Sequence, residues 1–253
     1  MLISEARKQI GGRLTENPKV QKVLRSLGFI IPENQVENET SPEIPKDTII
    51  SYIPNGGKNF AEGLIQKLIE SGVLPVDFQI SSIFHGSNQR AFLAPTAQDK
   101  KRIAENKFKI RNESTELVKG KTVVLVDDSV VRGTNIKTCI KNLLELGVKK
   151  VVIVSAAPIF QDGCYLGVAL KKEELLSTRA KNNIQSQEEG LETNQTLAQQ
   201  MAVQLITEIN QENNTNKINT QLEPVFLELV FGDIDGIQKV ILPNGGFCTC
   251  CLS

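Results

Sequence analysis

Hydrophobic and polar positions follow one another along the chain in a way that predicts buried strands separated by amphipathic helices. Residues 48–53, 123–126 and 151–159 are runs of β-branched and aliphatic side chains, which are typical of strands buried on both faces. Residues 60–71 and 135–146 instead repeat apolar side chains at helical spacing, and a glycine follows each of these two segments. This strand–helix–strand order predicts an α/β fold with a central, mostly parallel sheet flanked by helices.

The N-terminal part of the chain is more polar. Residues 2–14 and 19–28 predict two short helices. The stretch 15–47 contains four prolines and an acidic run, and this composition favours an exposed insertion.

The C-terminal part is also polar. Residues 181–222 are rich in Asn, Gln and Thr and contain one helical pattern at 194–211, and we expect 212–220 to be flexible. We therefore predict a domain over residues 1–180, which includes the polar insertion, and a helical C-terminal extension with a cysteine-rich tail over residues 181–253.

Composition narrows the class of protein. Lys plus Arg and Asp plus Glu balance at 29 each, so no broad basic surface is expected for nucleic acid or an anionic membrane. No apolar run reaches membrane-spanning length and the N-terminus lacks a signal-peptide core, which predicts a cytoplasmic protein. The five cysteines do not form the pattern of a secreted disulfide framework, so reduced thiols or a metal site are expected.

The residues after the strand at 123–126 change character abruptly. Asp127 and Asp128, hereafter the acidic pair, stand at the carboxyl end of that strand, where open α/β sheets bind ligands and where paired carboxylates can accept hydrogen bonds from the cis hydroxyls of a ribose. Gly133 allows close approach of the backbone, and a helix that begins near Asn135 directs its free N–H groups to the same place. A helix cap or surface turn would explain the acidic pair alone, but the whole stretch favours a phosphate site. We call the following residues the phosphate loop: Ser129, Val130, Val131, Arg132, Gly133, Thr134 and Asn135.

A second strand-to-helix turn has a similar composition. Asn55, Gly56, Gly57 and Lys58, hereafter the amide turn, follow the first strand and precede the next helix. Backbone N–H groups in such a turn bind anions, and Lys58 adds positive charge. An ordinary strand-to-helix connection has the same composition, so the amide turn alone does not decide between the two interpretations.

The sequence Val-Asp-Asp-Ser-Val-Val-Arg-Gly-Thr at 126–134 resembles the ribose-5-phosphate signature of type I phosphoribosyltransferases. It is most similar to the glutamine phosphoribosylpyrophosphate (PRPP) amidotransferase family, and the resemblance runs with insertions from about Ser4 to Cys251 over the transferase half of that family. It implies the type I phosphoribosyltransferase fold and Mg²⁺-PRPP as ligand. It also implies that the acidic pair holds the ribose hydroxyls, the phosphate loop the 5-phosphate, and the amide turn the pyrophosphate. Two departures are Asn135, where the family usually has Thr, and the Asn–Gly of the amide turn, where it usually has Asp–Ser.

Residues 76–98 resemble the mobile catalytic loop of the same family. Arg90 begins the part that matches closely, which implies that its guanidinium contacts a phosphate or the pyrophosphate. Arg90 and the acidic pair are thus the predicted catalytic residues. Residues 84–89 depart from the family pattern, and they include His85, the only histidine, which we expect to be solvated rather than an acid or base.

In the resembling family a glutaminase domain precedes the segment that begins near Ser4. Only Met1, Leu2 and Ile3 precede it here, so we expect no glutaminase. The nitrogen acceptor would then be an amine, free ammonia, or ammonia from a separate protein.

The tail cysteines form another motif. Cys248 and Cys251 resemble a C-terminal pair that, with a cysteine matching Cys164 and one further ligand, holds an iron–sulfur cluster in some members of the family. An incomplete cluster, or a zinc ion with Cys250 as substitute ligand, is one interpretation, and thiols that bind no metal are the other.

These observations predict a PRPP-dependent phosphoribosyltransferase that moves ribose 5-phosphate to ammonia or an amine. The alternative is a non-catalytic PRPP- or nucleotide-binding regulatory protein. A metal protein that uses the fold as a scaffold is a third hypothesis, which depends on the cysteines alone. A homo-oligomer is left open.

Overall fold

A single parallel sheet forms the centre of the protein. The computed structural model describes residues 2–29, 45–80, 82–86, 96, 106, 108–164, 171–187, 196–215, 226–241 and 252. In these residues the strands pair in the order β1-β2-β3-β4, each parallel to its neighbour. The strands are β1 (Thr48–Tyr52), β2 (Thr122–Asp127), β3 (Lys150–Ser155) and β4 (Leu227–Phe231).

Helices connect and cover these strands. They are α1 (Ile3–Arg13), α2 (Pro18–Ser26), α3 (Lys58–Glu70), α4 (Thr115–Val118), α5 (Thr134–Glu145), α6 (Leu176–Gln187), α7 (Leu197–Thr215) and α8 (Ile234–Ile241). Single 3₁₀ turns occur at Leu14–Glu16, Asn112–Ser114 and Lys172–Glu174. Within the described ranges no helix is long and apolar enough to cross a membrane.

Two hydrophobic cores lie on opposite faces of the sheet. Because side chains alternate along a strand, Val123 and Leu125 of β2 face one core, which is shared with α5, α6 and α7. Val124 and Val126 face the other core, which is shared with α1, α2 and α3. All residues of β2 are buried, as expected for a strand covered on both faces. The predicted α/β class, with a parallel sheet between helices, is therefore confirmed.

Three details differ from the sequence expectation. Strand β3 ends at Ser155 rather than near residue 159, and α7 continues to Thr215, so residues 212–215 are helical. No strand is expected from the sequence after residue 180, but β4 extends the sheet beside β3. The domain division at residue 180 stays a prediction.

The contact between α1 and α3 depends on glycines. A Cβ atom on Gly11 would lie 2.0 Å from the carbonyl oxygen of Phe60, and one on Gly63 would lie 1.8 Å from that of Lys8. These distances leave no room for a side chain, so the two helix backbones touch directly. By contrast, a Cβ on Gly12 would lie 3.5 Å from its nearest neighbour, the carbonyl oxygen of Gly63, which is an ordinary contact.

Adjacent glycines in α1 should therefore respond oppositely to alanine. We expect Gly11→Ala to lower the free energy of unfolding by about 3 kcal/mol, because the helices must separate. Gly12→Ala should be neutral or stabilising by about 0.5–1 kcal/mol, because alanine favours the helix. Chemical denaturation of both variants measures the difference, and equal free energies of unfolding would contradict the described packing.

Candidate functional site

The amide turn lies against the carboxyl end of β2. The N–H of Ile53 donates to the carbonyl oxygen of Val126 at 2.9 Å, and the N–H of Gly57 donates to that of Ile53 at 3.0 Å. A Cβ on Gly57 would lie 1.9 Å from the Val126 oxygen. A Cβ on Gly56 would lie 2.8 Å from carboxylate oxygens of both members of the acidic pair. The contact therefore requires glycine at both positions, and it joins the two sites predicted separately from the sequence.

The rest of the amide turn is exposed. Asn55 has a φ of 76°, a left-handed conformation that asparagine tolerates better than most residues. Lys58 is the first residue of α3, and its ammonium lies 3.8 Å from Glu62, with 60% of the side chain exposed. Gly57, which precedes α3, has no side chain that could cap the helix, and the partial positive charge of the helix N-terminus lies at this turn.

Strand β3 anchors the acidic pair. The carbonyl oxygens of Asp127 and Asp128 accept the N–H groups of Ala156 and Ala157, each at 2.9 Å. Asp127 is 5% exposed, and its Oδ1 accepts the N–H of Asp128 at 2.9 Å. Asp128 is half-buried, and its Oδ1 accepts the Ser129 hydroxyl at 3.3 Å. Two oriented carboxylates thus stand beside the amide turn, and both have oxygens able to accept further hydrogen bonds.

The phosphate loop runs from the acidic pair into α5. Val130 is buried in the core, so only its backbone is available to a ligand. Gly133 has a φ of 74° and immediately precedes α5, which begins at Thr134. A Cβ on Gly133 would lie 2.7 Å from Leu205 of α7. Glycine is therefore required both by the backbone conformation and by the packing of α7.

The side chain of Arg132, in the phosphate loop, forms an ion pair with Glu174. Its Nε donates to a carboxylate oxygen of Glu174 at 2.7 Å on the surface of the protein. The side chains of Thr134 and Asn135 are exposed at the start of α5. Ser129, Thr134 and Asn135 are the other polar side chains of the phosphate loop, and Thr134 lines the same cleft as Arg132.

A group of charged residues, hereafter the ion-pair network, joins α5, α6 and α7 beside the phosphate loop. Lys137 lies 2.9 Å from both Glu208 and Glu212, and Arg179 lies 2.9 Å from Glu208. Lys141 also contacts Glu212. Four of these side chains line a cleft of about 650 Å³ that reaches Thr134, namely those of Lys137, Arg179, Glu208 and Glu212.

The ion-pair network shifts the pKa values of its members. Burial alone would raise the pKa of Glu208, but hydrogen bonds from Gln204, Lys137 and Arg179 outweigh it and lower the pKa. The hydrogen bond from Lys141 lowers the pKa of Glu212. Burial would lower the pKa of Lys137, but its two glutamate partners outweigh burial and raise it. All three groups are therefore charged at neutral pH.

A comparison with known protein families identifies the family of this chain. The sequence profile of the phosphoribosyl transferase domain matches residues 13–192, which contain both the amide turn and the phosphate loop. The chain belongs to the phosphoribosyl transferase domain family.

Individual relatives in this family are amidophosphoribosyltransferases. The protein of that name from Methanocaldococcus jannaschii is 30% identical over 168 residues, which cover 65% of this chain and 32% of that protein. The one from Pyrococcus horikoshii is 30% identical over 142 residues, 55% of this chain and 29% of its own. A solved structure of glutamine PRPP amidotransferase from B. subtilis, complexed with ADP and GMP, is 18% identical with a TM-score of 0.48, and the match covers 99% of this chain and 41% of that one. The chain is thus a phosphoribosyl transferase domain related to amidophosphoribosyltransferase, and its matches span about a third or less of the curated relatives.

The base of the predicted catalytic loop of this phosphoribosyl transferase domain is anchored beside the amide turn. Phe84 and Ile110 form an antiparallel bridge, and the N–H of His85 donates to the carbonyl oxygen of Lys109 at 2.9 Å. A Cβ on Gly86 would lie 3.6 Å from Pro54. His85 is exposed, as expected, and Arg90 lies outside the described residues.

Most of the cysteine motif also lies outside the described residues. Cys164 is partly exposed, but Cys248, Cys250 and Cys251 are not described. Where the structure describes side chains, no group of three or more His, Cys, Asp or Glu residues could hold a metal ion. The cluster and zinc interpretations stay predictions.

Sequence reasoning missed the ion-pair network. The spacing of the charged residues gave a weak indication. Lys137 and Lys141 are four residues apart, and so are Glu208 and Glu212. In a helix this spacing places both side chains of a pair on one face. The signal did not show which helices would meet.

The ion-pair network predicts a pH-dependent contribution to stability. Because the folded pKa of Glu208 is below its ordinary value of 4.5, its contribution is present above that pH and is lost as pH falls through the lower folded value. We expect Glu208→Gln to destabilise the protein by about 1–2 kcal/mol at pH 7, and the difference from wild type to shrink below about pH 4.5.

Urea denaturation at several pH values measures this difference. Glu116→Gln, at an exposed position of α4, is the control and should change the free energy of unfolding by less than about 0.5 kcal/mol at pH 7. If the difference in free energy of unfolding between Glu208→Gln and wild type grew as the pH fell, the assigned ion pairs would be contradicted.

Proposed function

We propose that this chain is a PRPP-dependent phosphoribosyltransferase that transfers ribose 5-phosphate to ammonia or an amine and releases pyrophosphate. One observation carries the proposal. Two strand-to-helix turns, each followed directly by the N-terminus of a helix, meet at the acidic pair, with Gly56 in direct contact with both carboxylates. A molecule with a phosphate at one end, a pyrophosphate at the other and a diol between them has the matching chemistry.

Each part of the site has one role in this proposal. The N–H groups and hydroxyls of the phosphate loop, at the positive end of α5, bind the 5-phosphate. The amide turn, at the start of α3, binds the pyrophosphate. The ribose lies between them, and Asp127 and Asp128 accept hydrogen bonds from its two cis hydroxyls. Arg90 is proposed as a further contact to the phosphates, as its motif implies.

The donor set fits Mg²⁺ that is held largely by the substrate. Mg²⁺ prefers oxygen ligands and is commonly bound by one or two carboxylates together with substrate phosphates. Asp127 and Asp128 are adjacent carboxylates, which matches that description. When bound, Mg²⁺ neutralises charge on the pyrophosphate.

The reaction needs little covalent chemistry from the protein. The amine nitrogen forms a bond to the anomeric carbon while the bond from that carbon to the pyrophosphate oxygen breaks and its electron pair leaves with pyrophosphate. The proton lost from nitrogen passes to solvent. Fixing both ends of the ribose places the anomeric carbon, and the carboxylates and N–H groups are oriented before the reaction begins.

A non-catalytic PRPP-binding protein is the second candidate. Two observations favour it. The cationic side chains of the two turns lie close to glutamates, Lys58 to Glu62 and Arg132 to Glu174. The amide turn also departs from the family pattern. A cytoplasmic location, an ammonia-supplying partner and a homo-oligomer also remain proposals.

Pyrophosphate release separates the two candidates. Purified protein is incubated with Mg²⁺-PRPP and either ammonium, glutamine or a panel of amines, and calorimetry measures PRPP binding in parallel. We expect release that depends on ammonium or on one amine. Binding without release would support the non-catalytic protein, and absence of binding would refute both candidates.

Asp128→Asn tests the acidic pair. Loss of the charged acceptor should weaken PRPP binding by about 10- to 100-fold, since hydrogen bonds to charged groups contribute about 1.5–3 kcal/mol. Asp162→Asn is the matched control, because Asp162 pairs with Lys172 and contacts neither turn. Unchanged calorimetric affinity of Asp128→Asn for PRPP would remove the acidic pair from the site.

A further inference from the structure

Two consecutive carbonyl groups of the phosphate loop are held from the same side. The carbonyl oxygen of Val131 accepts the N–H of Leu176 at 2.9 Å. The carbonyl oxygen of Arg132 accepts a hydrogen bond from Nη2 of Arg179, also at 2.9 Å. Both donors belong to α6, which follows the phosphate loop by some forty residues in the sequence.

The planarity of the peptide bond gives these two contacts a consequence for the loop. In a trans peptide the C=O of one residue and the N–H of the next lie in one plane and point in opposite directions. Holding the carbonyls of Val131 and Arg132 toward α6 therefore directs the N–H groups of Arg132 and Gly133 away from α6. These are two of the N–H groups that the proposed function assigns to the 5-phosphate.

Arg179 is itself fixed at several points. Its Nη1 donates to the carbonyl oxygen of Glu174 at 2.8 Å, and its Nε donates to Glu208 at 2.9 Å. Glu208 is held in turn by Lys137 and Gln204. A planar guanidinium with three anchored nitrogens has one orientation, which a lysine ammonium cannot reproduce.

We propose that Arg179 is a positioning residue for the phosphate loop. It does not contact the ligand but fixes the peptide plane between Arg132 and Gly133, so that the N–H group of Gly133 is oriented before the 5-phosphate arrives. This inference rests on the proposed function, because it takes the phosphate loop to be the site of the 5-phosphate. It gives α6 and α7 a role in ligand binding although neither helix carries part of the signature.

A purely structural role for Arg179 is the competing explanation, and ligand selectivity separates the two. Ribose 5-phosphate tests the phosphate loop, whereas inorganic pyrophosphate tests the amide turn, which Arg179 does not touch. A loss of overall stability would weaken binding of both ligands, but a loss of loop orientation would weaken only the first.

The experiment is a calorimetric titration of four proteins with each ligand in the presence of Mg²⁺. The proteins are wild type, Arg179→Gln, Arg179→Lys and the control Lys181→Gln; Lys181 lies two residues further along α6 and donates only to Gln161 among its described contacts. We expect both Arg179 variants to bind ribose 5-phosphate about tenfold more weakly or worse, with pyrophosphate affinity changed less than about twofold. Lys181→Gln should match wild type with both ligands.

Each other outcome overturns the assignment. Equal weakening of both ligands, or wild-type affinity in Arg179→Lys, would show a structural or purely electrostatic role. If Arg179→Gln does not fold, the affinities of Arg179→Lys for the two ligands decide between the two roles. Failure of both variants to fold would establish the structural role. Wild-type protein that binds neither PRPP nor ribose 5-phosphate would refute the proposed function as well, whereas normal binding in wild type and in both variants would refute only the role of Arg179.

Discussion

The close approach of the amide turn to the end of β2 is the constraint on which the candidate site depends. Strands β1 and β2 are parallel neighbours in register from Thr48 opposite Thr122, so both end at the same edge of the sheet. The hydrogen bond from Ile53 to Val126 continues that pairing into the turn, and Gly57 leaves no Cβ to separate them. The amide turn, the start of the phosphate loop and the two carboxylates are therefore brought together by strand pairing rather than by long flexible side chains.

This arrangement places opposite charges side by side. The starts of α3 and α5 carry partial positive charge from unpaired N–H groups, and the acidic pair is negative. Side-chain cations near the site lie in ion pairs, such as Arg132 with Glu174 and Lys137 with Glu208. In the proposed site, backbone dipoles would therefore supply much of the attraction for phosphate, and their positions are set by the fold before a ligand binds.

Much of this could be predicted from the sequence because it is local. The strand β2, the acidic pair and the glycine before α5 lie within one short stretch of the chain, and their order together favours one interpretation although the acidic pair alone does not. Strand β4 was missed because it is a short apolar run after a polar region, and its place beside β3 depends on packing across the sheet. The contact between Arg179 and the Arg132 carbonyl joins residues 47 positions apart, and no periodicity predicts which donor meets which carbonyl.

Long-range packing also decides the conformation of the phosphate loop. A glycine with positive φ is a local feature, but Leu205 of α7 and Leu176 of α6 fill the space beside Gly133 and close that side of the loop. The same two helices supply the donors to the loop carbonyls and the glutamates of the ion-pair network. In the proposed site, the signature residues therefore depend on the helices that follow them for the backbone conformation that would bind a phosphate. A segment that carried the signature without α6 and α7 would retain the sequence motif but not the orientation of its N–H groups.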